Sequence, residues 1–174
     1  LFVQLLIVYM LILFIFTRLN PLQFLRKMLP VMLFAFSTSS SNATIPLNME
    51  TLEKKIGVDP KVASFTIPLG ATINMDGTAI YQGVCAVFIA CCFGIELTFA
   101  QMLTIVLTAT LASIGTAGVP GAGMVMLAMV LTSVGLPIDG IALVAGVDRI
   151  FDMGRTTLNI TGDASAALIV TNIL

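Results

Sequence analysis

Asp148, Asp152, Arg155, Asn159 and Asp163 follow one another at intervals of four, three, four and four residues, with apolar sequence on both flanks. At about 100° per residue, all five fall on one face of a helix. A soluble protein would turn such a face to water. This chain has little water-facing sequence to offer, because 58% of its residues are hydrophobic, 10% are charged and its mean hydropathy is +1.08. An ordinary soluble domain is about a quarter charged. The composition is that of an integral membrane protein, and there a charged helical stripe must face protein or a water-filled cavity, where ionisable groups mark a substrate or ion pathway.

The same composition removes several classes of function. A net charge of −1 says nothing about a polyanionic partner, and no basic run with interleaved aromatics points to nucleic acid, so none is expected. No histidine is present, so imidazole takes no part in a proton relay, metal site or catalytic dyad. Cys85, Cys91 and Cys92 stand in apolar sequence and read as small hydrophobic residues, not as disulfides or metal ligands. The first apolar run lacks the basic start and small-residue cleavage site of a signal peptide. Both ends of the sequence lie within apolar runs, which leads us to expect a fragment of a longer protein.

Residues 1–18 read as one transmembrane helix, ended by Arg18, Asn20 and Pro21. Residues 22–36 form a second apolar segment, stopped by the polar cluster 37–42. The next apolar stretch, 43–52, is too short to cross about 30 Å of hydrocarbon as a helix. These two arms read as a re-entrant hairpin with a serine-rich tip, tolerated only where protein or water covers its backbone. After a charged link, a helix from about residue 62 to 93 is interrupted at Asn74-Met75-Asp76-Gly77-Thr78, where Asn, Asp and Gly are poor helix formers. A second hairpin follows, with arms at 99–111 and 124–134. Its tip, 113–123, is rich in glycine, so its backbone can approach a ligand closely or move as a gate. A phosphate loop is the rival for that tip, but no Lys-Ser/Thr follows it. The last helix runs from about residue 138 through the charged stripe.

Arg18, Arg26, Lys27, Lys54, Lys55 and Lys61 all fall beside the base of the first hairpin, whereas the links around Glu96 and Asp139 carry no cation. By the positive-inside rule the first hairpin opens from the cytoplasm and the second from outside. A repeat also emerges: Ser40 to Asn74 spans 34 positions and Ala117 to Asp152 spans 35. The expected fold is an all-α membrane protein, an inverted repeat of two re-entrant hairpins and two interrupted transmembrane helices preceded by one transmembrane helix. Residues 22–94 and 98–174 are its two halves. Such repeats are the architecture of secondary transporters, with the site near the midplane.

Four stretches carry a resemblance: Ser39-Ser40-Ser41, then 70–78 (Gly-Ala-Thr-Ile-Asn-Met-Asp-Gly-Thr), then the tip 115–123, then Asp152-Met153-Gly154-Arg155-Thr156 with Asn159 and Asp163. Together they resemble the glutamate/aspartate transporters, the dicarboxylate/amino acid:cation symporters, a family built on inverted repeats. The resemblance implies that this is the later part of such a transporter, most of a transport domain that moves like an elevator within a homotrimer, in a lipid bilayer expected to be a bacterial inner membrane. It implies no enzyme activity and no cofactor beyond sodium as the coupling ion.

From the residues themselves, Arg155 offers a planar fork suited to a carboxylate, and Asp152 one turn away offers the opposite charge for an ammonium. The resemblance then implies that Arg155 binds the side-chain carboxylate of an acidic amino acid and Asp152 its amino group. Asn159, Thr156 and Thr78 supply polar contacts, and backbone at Ser41, Val119 and Gly123 closes over the ligand. It further implies one sodium ion at Asp163 with carbonyls of Gly70, Asn74 and Asn159. A second lies among carbonyls of Thr72, Ser113, Ile114 and Thr116 near the Met75 sulfur, and a third involves Asn74 and Asp76.

Two positions depart from the family pattern. Gln82 stands where animal members carry a glutamate associated with proton coupling, and Ser39 stands where archaeal members carry an arginine, while Arg149 appears on the last helix instead. Sodium-coupled symport of glutamate or aspartate is the leading expectation. Proton-coupled transport of C4-dicarboxylates or neutral amino acids is the alternative within the class, although a buried unpaired guanidinium suits a neutral substrate poorly. An ion channel is the alternative outside it. An intramembrane aspartyl pair, Asp148 with Asp152, is disfavoured because both sit on one helix and not on facing elements.

Overall fold

The computed structural model describes all 174 residues, and every regular element in it is helical. A π-helical turn, Gln4–Tyr9, leads into α1, Met10–Thr17, which stops at Arg18 in the left-handed region (φ 55°). Asn20 caps α2, Pro21–Thr38, by accepting from Leu22 N–H, with Pro21 in the first-turn position that suits its missing N–H. The chain reverses at Ser39 (φ 52°), and Ser40 caps α3, Ser41–Thr51. A second π-turn, Leu52–Ile56, ends at Gly57 (φ 90°), where a left-handed residue is needed. Asp59 then caps α4, Pro60–Ile73.

The break falls inside the motif expected to cause it. Asn74 (φ −97°, ψ 81°) and Met75 (φ −116°, ψ 47°) leave helical geometry, and α5 resumes at Asp76–Cys92. Taken across the break, Pro60–Cys92 is long and apolar enough to cross a bilayer, with a mean hydropathy of 1.4 in its most apolar stretch. A capping box at Thr98 and Gln101 starts α6, Phe99–Ile114. The glycine-rich segment then leads into α7, Ala122–Ser133. A short 3-10 turn, Ile138–Gly140, precedes α8, Ile141–Ile173.

The expectation of two interrupted helices needs correction, because α8 is continuous over 33 residues. Poor helix formers also stand side by side on α8, at Thr161-Gly162-Asp163, but there the buried packing against the surrounding helices holds the backbone helical, overriding local propensity.

Helix α8 is the axis of the molecule and packs against α1, α2, α3, α4, α5 and α7. Two apolar clusters flank it. One gathers Leu13, Met28, Val31, Ala63 and Ile67 around Leu158, Ala164 and Leu168. The other gathers Ala86, Ile89, Ile105, Leu127 and Leu131 around Val144. Between Val144 and Leu158 lie Asp148, Asp152 and Arg155 of the stripe, held between two apolar plugs. Lipid tails are as apolar as leucine, so close packing and not burial from water drives helix association in a membrane. Small residues supply it: Ala63 of α4 shares one cluster with Ala164 and Ala167 of α8, Gly70 of α4 lies directly against Asp163, and Gly162 of α8 lies against Tyr9 and Asn74. The outer surface is apolar, with Phe65, Phe99, Leu111 and Val125 at least 70% exposed, as a chain surrounded by lipid or other membrane helices requires.

Candidate functional site

Arg155 is 2% exposed, and its charge is answered from its own helix. Its Nη1 lies 3.3 Å from Asp148 Oδ1, its Nη2 lies 2.9 Å from Asp152 Oδ1, and its Nε donates to that oxygen at 3.1 Å. The Nη2 contact is off the N–H direction, so that nitrogen keeps bonding capacity. Tyr81 presents its ring face 4.3 Å from the guanidinium carbon, a cation–π contact in desolvated surroundings. On the remaining side stands Gly123, where a Cβ would come within 2.8 Å of that carbon. Only glycine lets the second tip approach the guanidinium this closely.

The two tips meet over this cluster. Ser40 Oγ donates to the Gly118 carbonyl at 2.8 Å, and Asn42 N–H donates to the same oxygen at 3.2 Å. Gly121 N–H donates to Asp152 Oδ2 at 2.8 Å, which latches the second tip to α8. Gln82 is fully buried and donates its Nε2 to the Gly123 carbonyl at 3.3 Å, leaving its Oε1 without a partner.

All eight residues expected around a substrate line one cavity beneath these tips: Ser41, Thr78, Val119, Gly123, Asp152, Arg155, Thr156 and Asn159. Its free space is only about 10 Å³, room for one water and not for an amino acid. The volume is taken up by the paired charges and the closed tips.

Asn159 joins α8 to the broken helix. Its Oδ1 accepts from Gly77 N–H at 2.7 Å, and its Nδ2 donates to the Met75 sulfur at 3.3 Å and to Thr78 Oγ1 at 3.4 Å. Gly77 itself lies so close to the Arg155 backbone that a Cβ would meet its carbonyl at 2.7 Å.

Asp163 is 1% exposed, takes a bond from Asn74 Nδ2 at 2.8 Å on Oδ1, and has no partner on Oδ2. Gly70 is packed directly onto this carboxylate and admits no side chain. A buried carboxylate oxygen without a partner is costly, and a cation is the kind of ligand that relieves it. No three His, Cys, Asp or Glu side chains cluster anywhere, so a cation would depend on carbonyl and amide oxygens. Of the set expected around this ion, Gly70 and Asn74 lie against Asp163, while the Asn159 side chain turns to Gly77, Met75 and Thr78.

The set expected around a second ion is looser. Met75 and Thr116 line the same small cavity, but Thr72 directs its hydroxyl to Leu69 O, the Ser113 carbonyl accepts from Thr116 N–H, and Ile114 is exposed. Asp76 lies apart from these, bonded to Tyr9 and Gln4.

Sequence inspection did not give Asp148 a role with Arg155, although seven residues on a helix return to nearly the same face. Tyr81 carried no periodic or motif signal of its own, and Gly118 was marked only as one of the glycines of the second tip. Arg149 reaches Asp152 Oδ2 only at 4.0 Å and is largely exposed.

A broken helix and a continuous one together enclose a buried charge cluster inside an all-helical apolar shell, an arrangement of the kind found in membrane transporters. Residues 1–173 match the family described as the sodium:dicarboxylate symporter family, and the chain belongs to it. It is 50% identical over 167 residues to the human protein named excitatory amino acid transporter 1, covering 96% of this chain and 31% of that protein. It is 49% identical over 160 residues to an excitatory amino acid transporter of Caenorhabditis elegans, covering 92% of this chain and 32% of the relative. For the mouse excitatory amino acid transporter 5 the identity is 50% over 160 residues, covering 92% and 29%. The chain thus spans about a third of the length of these curated relatives. The family's description names sodium and a dicarboxylate as the pair its symporters carry. The relatives are animal proteins, so they lend no support to a bacterial membrane in particular.

Proposed function

We propose that this chain is the substrate-binding part of a sodium-coupled symporter for glutamate or aspartate. The observation that carries the proposal is Arg155, buried between two carboxylates beneath two joined tips and walled by Gly123. An acidic amino acid brings its own carboxylate and ammonium. Its side-chain carboxylate replaces Asp148 and Asp152 on the guanidinium fork, and its ammonium takes the Asp152 oxygen released by Gly121. Admission therefore begins with the second tip moving off Asp152.

Sodium enters the same cycle at Asp163, where the unpartnered Oδ2 and the Gly70–Asn74 backbone provide oxygen ligands, and further ions bind at Met75–Thr116 and at Asp76. Asn159 contacts Gly77, Met75 and Thr78, so an ion that reshapes the break also shifts the floor of the substrate cavity. That contact is the physical route for coupling.

In the assembled protein α2 with α3 and α6 with α7 act as re-entrant hairpins of an inverted repeat, residues 22–94 and 98–174, moving as one elevator-like body within a homotrimer. The membrane is a plasma membrane, which in a bacterium is the inner membrane. The test is uptake by the full-length protein in liposomes, with labelled aspartate, glutamate, serine and succinate under separate sodium and proton gradients. Aspartate or glutamate accumulation driven by sodium is expected. Preference for succinate or serine, or drive by protons alone, would replace this reading, and ion current without substrate exchange would make the protein a channel.

A further inference from the structure

The first helix joins the site through an irregularity. Gln4–Tyr9 is six residues of π-helix, a geometry rare in proteins and concentrated at functional sites. In an α-helix, residues five apart point about 140° away from each other, whereas i→i+5 bonding brings them toward one face. Gln4 and Tyr9 are five apart and converge on a single atom. The Tyr9 hydroxyl donates to Asp76 Oδ2 at 2.8 Å, and Gln4 Nε2 donates to the same oxygen at 3.3 Å. Asp76 is the first residue of α5, immediately after the break.

The surroundings are shaped for this hydroxyl. Tyr9 is 7% exposed, and a Cβ on Gly162 would lie 2.5 Å from its oxygen and 2.7 Å from Asn74 Nδ2. Asn74 donates onward to Asp163, so the phenol stands between the Asp76 carboxylate and the Asn74–Asp163 pair. Both donors fall on Oδ2 of Asp76, which leaves Oδ1 for another ligand. A regular helix would have separated the two donors.

We propose that the π-turn Gln4–Tyr9 is a positioning device for Asp76, in which Tyr9 and Gln4 together hold Oδ2 so that Oδ1 is presented to a sodium ion at the helix break. This rests on the reading of Asp76 as a sodium ligand. It makes the first helix part of the ion chemistry, although that helix contributes no ligand itself. A bond that fixes a carboxylate's orientation sharpens binding in the way outer partners do at metal sites.

The experiment uses the purified full-length protein and reads thermal stabilisation as sodium is titrated without substrate. Tyr9→Phe keeps the ring and removes the donor. It should raise the sodium concentration for half-maximal stabilisation about tenfold, the worth of one hydrogen bond to a charged group, with little change in the sodium-free melting temperature. Gln4→Leu, with the longer bond, should raise it about threefold and guards against misfolding of the tyrosine variant. Asp76→Asn should give the largest shift, and adding Tyr9→Phe to it should change nothing more. If Asp76→Asn shifts the midpoint and neither donor variant does, the positioning role is overturned while the sodium reading stands. If the sodium-free melting temperature falls and the midpoint holds, Tyr9 is packing only, and the proposal is equally overturned. A wild type without sodium-dependent stabilisation, or an Asp76→Asn indistinguishable from it, overturns the proposal together with the reading beneath it.

Discussion

Helix α4 stops at Ile73 and α5 starts at Asp76, whereas α8 passes through the same interior from Ile141 to Ile173 without interruption. The two routes deliver different chemistry. A broken helix gives up internal hydrogen bonds and exposes carbonyl oxygens, soft directional dipoles suited to a dehydrated monovalent cation. An intact helix keeps its backbone satisfied and presents whole charges, Asp148, Asp152 and Arg155 where a ligand with charges of its own would lie and Asp163 beside the break. On the function proposed above, the difference lets an ion and an amino acid be held without competing for the same groups, with Asn159, bonded to Gly77 and Thr78, as the side chain between them.

The sharpest way to break this division is Arg155→Cys. It should abolish uptake of acidic amino acids while leaving serine able to bind, because the loss of a bidentate charged contact weakens binding by about 1.5–3 kcal/mol or more. Competition binding against labelled aspartate checks it, and an unchanged aspartate affinity would take Arg155 out of the site. Next in size is Asp163→Asn on the cation side. It should weaken sodium about tenfold and, because linkage is reciprocal, weaken aspartate as well. Aspartate binding indifferent to sodium in both proteins would show that the two regions are not coupled.

Gln82→Glu asks whether the cavity wall can take on a proton. The amide now donates to the Gly123 carbonyl at 3.3 Å, and only a protonated glutamic acid could replace that bond. Folding around the closed tip would then favour the protonated form, so uptake should fall severalfold as pH rises from mildly acidic to mildly alkaline. A flat pH profile in the variant, matching that of wild type, would mean that this bond does not limit transport.

The smallest effect is expected for Arg149→Ser, since the guanidinium is exposed and reaches Asp152 only at 4.0 Å, and such pairs are worth about 0–1 kcal/mol. Ser39→Arg should do more harm, because Ser39 is 1% exposed and sits at a φ of 52°. If one cation serves the same space from either place, exchanging both residues should recover activity, with a coupling of about 0.5–3 kcal/mol in a double-mutant cycle. Strictly additive losses would leave Arg149 as plain neutralisation of the acidic stripe.

The break at Asn74 was legible because several poor helix formers stand side by side, and the stripe because charges in so apolar a chain admit few placements. The tips were legible from serine and glycine. The continuity of α8 was not read correctly, since the repeat suggested a second break where α8 has none. Which carboxylate meets Arg155 was also hidden: Asp148 and Asp152 share its face, and only packing shows that both are used. Periodic reasoning at 100° per residue places Gln4 and Tyr9 on different sides, so the cluster on Asp76 depends on a π-turn that no residue pattern announced.

The Gly118 carbonyl, which accepts from both Ser40 and Asn42, sets a clock as well as a contact. Any ligand that must lift the second tip gives up these two hydrogen bonds besides those at Gly121 and Gly123, and the two alone are a net cost of about 1–3 kcal/mol, or roughly a 5- to 150-fold reduction in the affinity that its contacts alone would give. The same bonds re-form when the ligand leaves, so they favour departure to the same degree that they oppose arrival. Residence time is shortened without removing a single recognition contact, and a protein that has to release what it binds many times over gains throughput from a door that prefers to be shut.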